Sequence, residues 1–184
     1  MILVIDCGSN KTRKIADLVN DFMDVKIIPL LDFKENDLTE IKGVIISGAS
    51  LLISNTDLTK YLEKITWVKE SKIPVLGINF GHQLIGILFG AEGNRTREDR
   101  DWQIIEAYED SILFNRLPNE IRMMENHCET ISIPPGFQLI ASSDACINEV
   151  MEHHEKSIFG VQFHPEISGN HGKIVIENFI NICL

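Results

Sequence analysis

The stretch from Pro74 to Gln83, PVLGINFGHQ, constrains the chain more than any other. The run Pro74-Val75-Leu76-Gly77-Ile78 leads into the frame Gly77-Ile78-Asn79-Phe80-Gly81, and then into His82 to Phe89, which reads as helix. A buried strand, a sharp turn and a helix with flanking glycines describe a nucleophile elbow. The glycines let strand and helix crowd the turn, so the central residue is pushed out at the tip of the strand. An active elbow carries Ser or Cys there. Here the centre is Asn79, whose carboxamide is neither ionisable nor nucleophilic.

The rest of the chain supplies the sheet that such an elbow needs. Ile2 to Ile5, Val25 to Pro29, Gly43 to Ile46 and Pro74 to Ile78 are short apolar strands. Lys11 to Met23 has helical spacing through Ile15, Leu18, Val19 and Phe22, and Leu58 to Ser71 has it through Leu58, Leu62, Ile65 and Val68. Strands alternating with helices predict a mostly parallel sheet covered on both faces, with sites at the carboxyl ends of the strands. Cys7 to Asn10, Ser47 to Ser50 and Asn79 fall on that edge. Beyond Phe89 the pattern changes. Gly90 to Trp102 reads as a polar loop, and Gln103 to Tyr108, Ile121 to Glu125, Phe137 to Ser142, Ile147 to Glu152 and Ser157 to Gln162 as shorter strands. Lys173 to Ile182 reads as a closing helix. The expected architecture is α/β and three-layered, a central mostly parallel sheet flanked by helices with a small antiparallel extension, in a single domain spanning 1–184.

Charge and cysteine content narrow the partners. A formal net charge of −10 argues against tracking a nucleic-acid backbone or an anionic membrane surface. No apolar run reaches spanning length, and MILVIDCGSN lacks the charged start of an export signal. Cys7, Cys128, Cys146 and Cys183 form no CxxC pair and no zinc spacing, so reduced thiols in a cytoplasmic protein with neither metal nor cofactor are expected. Cys7 reads as a small buried hydrophobe and Cys128 as a loop thiol without a role. His153-His154, between Glu152 and Glu155, reads as a solvated charged segment, because consecutive strand residues point opposite ways.

Two segments bring chemistry to the elbow. In Gly160-Val161-Gln162-Phe163-His164-Pro165-Glu166, a His and a carboxylate two residues apart share one side of a strand. His164 suits a general base and Glu166 a group that orients its imidazole. Ser47-Gly48-Ala49-Ser50 is a small-residue turn whose backbone N–H groups suit an oxyanion.

These segments, in this order and over nearly the whole chain, resemble the class I (triad-type) glutamine amidotransferase domain. The family's initial D-x-G stands as Asp6-Cys7-Gly8, its S-G-G-P turn as Ser47 to Ser50, its P-x-x-G-[IV]-C-x-G-x-Q elbow as Pro74 to Gln83, and its G-x-Q-F-H-P-E close as Gly160 to Glu166. Within the family the likeness is greatest to the glutaminase subunits of GMP synthase. It rests on Asp6 to Asn10, on Asn126-His127-Cys128-Glu129, on Pro135-Gly136-Phe137 and on Ala141 to Asp144. The resemblance implies that a Cys attacks the amide of glutamine with help from His164 and Glu166. Ammonia then passes to a separate ATP-dependent synthetase subunit, whose domain is not expected in this chain. It further places Gln83, Gly48, Ala49 and Phe80 near bound glutamine, and His127 and Glu129 towards the partner.

The sequence departs from that pattern at Asn79 in place of Cys, at Ala49-Ser50 in place of Gly-Pro, and at Asn126 and Glu129 in place of Ser and Asp. Ala49 is strained if its φ is positive. The leading expectation is a glutaminase-like subunit impaired in catalysis. The alternatives are an active enzyme with a substituted or recruited nucleophile, and a binding or regulatory module.

Overall fold

The computed structural model describes residues 1–184. The strand β1 (Ile2–Asp6) shows why the apolar runs are continuous rather than alternating: Ile2 and Val4 enter the core on one face, Leu3 and Ile5 the core on the other. Both faces of β1, β3 (Gly43–Ile46) and β4 (Val75–Ile78) are dry. On the first face, α1 (Thr12–Asn20) and α4 (Gly169–Ile182) supply Ile15, Val19, Val175 and Phe179. On the second, α2 (Thr59–Ile65) and α3 (Phe80–Leu88) supply Ile65, Leu84 and Ile85.

With β2 (Val25–Pro29), β5 (Gly93–Ala107), β6 (Glu120–Ile131), β7 (Phe137–Ser142), β8 (Val150–His153) and β9 (Ile158–Val161), the strands form one sheet of order β2-β1-β3-β4-β9-β8-β7-β5-β6. Pairing is parallel from β2 through β9 and antiparallel from there to β6. The three-layer α/β architecture with its antiparallel extension is therefore the one expected. No helix is long and apolar enough to cross a membrane.

The segment from Gly90 to Trp102 is not a loop. Most of it belongs to β5, which pairs along its length with β6 in a long ribbon, with an irregularity between Arg95 and Asp99. Its side chains are mostly exposed, so their polarity hides a strand held by backbone hydrogen bonds. The helix expected over Leu58 to Ser71 changes to a 3₁₀ turn at Thr66–Glu70, although Ile65 and Val68 stay buried as predicted. The strand expected from Ile147 begins only at Val150, and Ile147 itself is exposed. His153 is half-buried, whereas His154 and Glu155 are exposed. The His153 ring packs edge-on against Phe89 and Phe137, with centroids 5.6 and 4.9 Å away.

Candidate functional site

Asn79 sits alone between β4 and α3 with φ 52° and ψ −109°, a combination few L-residues adopt. Two backbone bonds hold it there. Its N–H donates to the Val161 carbonyl at 2.8 Å, and its own carbonyl accepts the Gln83 N–H at 3.0 Å. The glycines work by close approach rather than by torsion. A Cβ on Gly81 would overlap the Ile46 carbonyl oxygen, and one on Gly77 would stand 2.6 Å from the Gly81 carbonyl carbon. The Asn79 side chain is nearly buried, and its Nδ2 donates to the Gln162 carbonyl at 3.3 Å.

His164 and Glu166 meet, though not as neighbours on a strand. β9 ends at Val161, and the pair lies in the following turn, with Pro165–Ile167 forming a 3₁₀ turn. His164 Nδ1 lies 2.8 Å from Glu166 Oε1. A carboxylate accepts, so Nδ1 carries the proton, and in the neutral imidazole that tautomer leaves the lone pair on Nε2. The His164 backbone is fixed as well: its N–H donates to the Met124 carbonyl at 2.9 Å, and its carbonyl accepts the Ser168 hydroxyl at 2.6 Å.

Gly48 closes the constellation. The place a Cβ would take on it lies 3.3 Å from Asn79 Cβ and Oδ1 and 3.5 Å from His164 Cε1. The turn is pinned from below, because Ser47 Oγ accepts the Cys7 N–H at 2.9 Å and the Thr12 hydroxyl donates to Asp6 at 2.6 Å. Ala49 is not among the non-glycine residues with positive φ, so its methyl group adds no backbone strain to the turn.

A cavity of about 300 Å³ opens at this point. Asn79, Gln83, Ala49 and His164 line it, with Lys11 and Arg100 contributing positive charge. Glu98 and Glu129 bring negative charge to the same walls. Gln83 is held firmly: its Nε2 donates to the Glu129 carbonyl at 2.9 Å and to Gln162 Oε1 at 3.1 Å. Phe80 puts its ring into the core, edge-on to Tyr61 at 5.9 Å, so only its backbone N–H, at the open first turn of α3, is offered to the site. His127 and Glu129 both line the cavity. The Glu129 carboxylate accepts the N–H groups of Ile53 and Ser54 at 2.5 and 3.2 Å, and the His127 side chain is almost wholly buried.

Other groups differ from their sequence reading or escaped it. Cys128 lies on β6, not on a loop, and is half-buried on the cavity wall. Cys7 is buried, and burial with the Asp6 charge pushes its thiol up to about 12. His82 on α3 is fully buried, and that burial lowers its imidazole to about 3. Sequence reasoning missed Arg100 and Glu98 as cavity-wall residues. Strand pairing brings them there, Arg100 standing opposite Asn126.

A parallel sheet carrying an elbow at its carboxyl edge, with a His–carboxylate pair beside it, has the layout of a triad scaffold whose nucleophile position is held by Asn79. The chain belongs to the class I glutamine amidotransferase family, whose model, "Glutamine amidotransferase class-I", matches residues 3–183. More particularly, it is 36% identical to a subunit of glutamine-hydrolyzing GMP synthase from Pyrococcus furiosus, over 100% of this chain and 98% of the relative. It is 37% identical to the GMP synthase subunit of the same name from Methanococcus aeolicus, over 100% and 97%. A crystal structure of a Thermoplasma acidophilum protein, proposed to be the same GMP synthase subunit, superposes with a TM-score of 0.91 at 30% identity, covering 99% of this chain and 92% of that one.

Proposed function

We propose that residues 1–184 act as one glutamine-recognising domain that has lost the covalent step of glutamine hydrolysis and works beside a separate ATP-dependent synthetase chain. The observation that carries this reading is Asn79 itself. It keeps the elbow's backbone while its amide bonds the Gln162 carbonyl, and the His164–Glu166 pair beside it is intact at 2.8 Å. Lys11 matches the carboxylate of a free amino acid, and the Arg100–Glu98 pair, at 2.6 Å, brings both signs of charge to the same wall. A side-chain amide brought to Asn79 meets the Phe80 N–H and the Gly48 turn, which polarise its carbonyl. His164 Nε2 is placed to take a proton, but no thiol is there to give one. Loss of a triad nucleophile costs up to about 10⁶ in kcat. Kinship with the GMP synthase relatives supports a synthetase partner, with purine nucleotide synthesis as its setting.

Two measurements test this reading. Calorimetry is expected to detect glutamine binding, and a coupled ammonia assay no turnover, for the chain alone and with any copurifying synthetase. Robust ammonia release would sink it. One observation favours a second reading, an active enzyme with a recruited nucleophile: Cys128 lines the same cavity as His164. An ammonia assay on Cys128→Ala separates the two, because only the second predicts turnover in the parent that this change abolishes.

A further inference from the structure

Behind the cleft, where the β5–β6 ribbon meets the rest of the sheet, four ionisable side chains are buried together: Asp99 from β5, Glu125 and His127 from β6, and Glu149 just before β8. Donor atoms of Asp99, His127 and Glu149 lie within 4.8 Å of one another. His127 Nε2 stands 3.3 Å from Glu125 Oε2 and 3.9 Å from Asp99 Oδ2. The side chains of His127 and Glu125 are 3% and 0% exposed.

Hydrogen bonding leaves this cluster unsatisfied. With the carboxylates ionised, both ring nitrogens of His127, both carboxylate oxygens of Glu125, Asp99 Oδ2 and Glu149 Oε2 have no hydrogen-bond partner, and Glu125 and Glu149 can bond each other only by sharing a proton. The exception is Glu149 Oε1, which accepts the Ser143 hydroxyl at 2.6 Å. No Lys or Arg forms an ion pair with any of the three carboxylates. Buried polar groups are normally paired, and each orphan is destabilising. Several orphans converging on one point are what a bound cation resolves.

We infer that Asp99, His127 and Glu149, with Glu125 beside His127, form a binding site for one divalent transition-metal cation of the Zn²⁺ or Mn²⁺ type. One imidazole with carboxylates suits these ions, whereas Mg²⁺ and Ca²⁺ favour oxygen alone. With bonds of about 2.1 Å, tetrahedral ligand atoms stand about 3.4 Å apart. His127 Nε2 and Asp99 Oδ2 are 3.9 Å apart, near that value, and with Glu149 the three donors stay within 4.8 Å, so side-chain rotation has to draw them together on the cation. Metal-ligand spacing is invisible in the sequence because the donors come from three separate segments.

The role is structural. The cation ties the ribbon, whose residues Arg100, Asn126 and Cys128 wall the cleft, to the segment entering β8. The inference is independent of whether the cleft holds glutamine. Without a cation the cluster has to hold protons instead, and burial does push Glu125 up to about 8 and Glu149 well above the usual carboxylate range.

The test uses the full chain stripped with a chelator and dialysed against Zn²⁺ or Mn²⁺. Atomic emission is expected to show one equivalent retained. Tm should rise by about 5–10 °C at a free metal level 100-fold above Kd. The E125Q/E149Q variant is expected to lose both effects. Should that variant fail to fold, Co²⁺ bound to the parent chain still decides. An absorption spectrum with d–d bands and no thiolate charge-transfer band supports the site, and a thiolate band overturns it. An unchanged Tm with no retained metal overturns it in favour of shared protons.

Discussion

Restoring a thiol at the elbow, Asn79→Cys, probes the site most directly, and its stability cost follows from the geometry. The two backbone bonds that hold residue 79, to Val161 and from Gln83, do not depend on its side chain. What is lost is the Nδ2 bond to the Gln162 carbonyl, which at 3.3 Å is long and worth about 0.5–1 kcal/mol. Cys also tolerates positive φ less well than Asn. A several-fold difference in occupancy is about 0.6–1 kcal/mol at φ 52°. The sum, about 1–2 kcal/mol, lowers Tm by roughly 2–8 °C in a domain of this size. In return, the thiol is placed beside the His164–Glu166 pair. Ammonia release in a coupled assay should rise at least ~10³-fold over the parent, a fraction of what a triad nucleophile supplies. A γ-electrophilic glutamine analogue should attach to residue 79. The reasoning is refuted if the variant melts cooperatively and binds glutamine, yet gives neither ammonia nor adduct.

Three further outcomes are expected. Gly81→Ala drives a methyl group into the Ile46 carbonyl and should cost about 3 kcal/mol, seen as a lower urea midpoint with unchanged m; a loss under 1 kcal/mol would refute the close approach. His82 has its folded pKa lowered to about 3, below its unfolded value of about 6.5, so the unfolded chain binds more protons between these values. Its contribution to stability is complete above pH 6.5 and is lost as pH falls towards 3, at up to about 1.4 kcal/mol per pH unit; His82→Gln should remove that part of the slope, and identical slopes would refute the assignment. Alkylation of the native protein should modify Cys128 well before Cys7, Cys146 and Cys183, because burial raises the last three thiols and shields them; prompt labelling of Cys7 by mass spectrometry would contradict this.

The parts of the fold that were legible are those whose side chains report their surroundings. β1, β3 and β4 lie between two cores, so Ile2 to Ile5 or Gly43 to Ile46 are unbroken apolar runs. The elbow was legible because its glycines answer a steric demand that no other residue meets. The β5–β6 ribbon was not. Its backbone is satisfied strand to strand while its side chains face water, and Arg95 to Arg100 therefore has the composition of a loop. The His164–Glu166 contact was anticipated for the wrong local reason, a strand, where the chain uses a turn that begins with Pro165. Cys128 was misread as a loop thiol because its surroundings come from pairing of β6 with β5. The buried carboxylate cluster depends on the same pairing.

The position of β9 has a consequence for how the protein is made. It is the last strand of the sequence, yet it lies between β4 and β8, in the middle of the sheet. During synthesis β4 carries an open, apolar edge until β9 emerges and docks. The same event delivers the Val161 carbonyl to Asn79 and swings His164 into place. The cleft and the sheet therefore close together, and an incomplete chain has neither. Hydrogen exchange is expected to show the amides of β4 and β9 gaining protection in a single step during refolding.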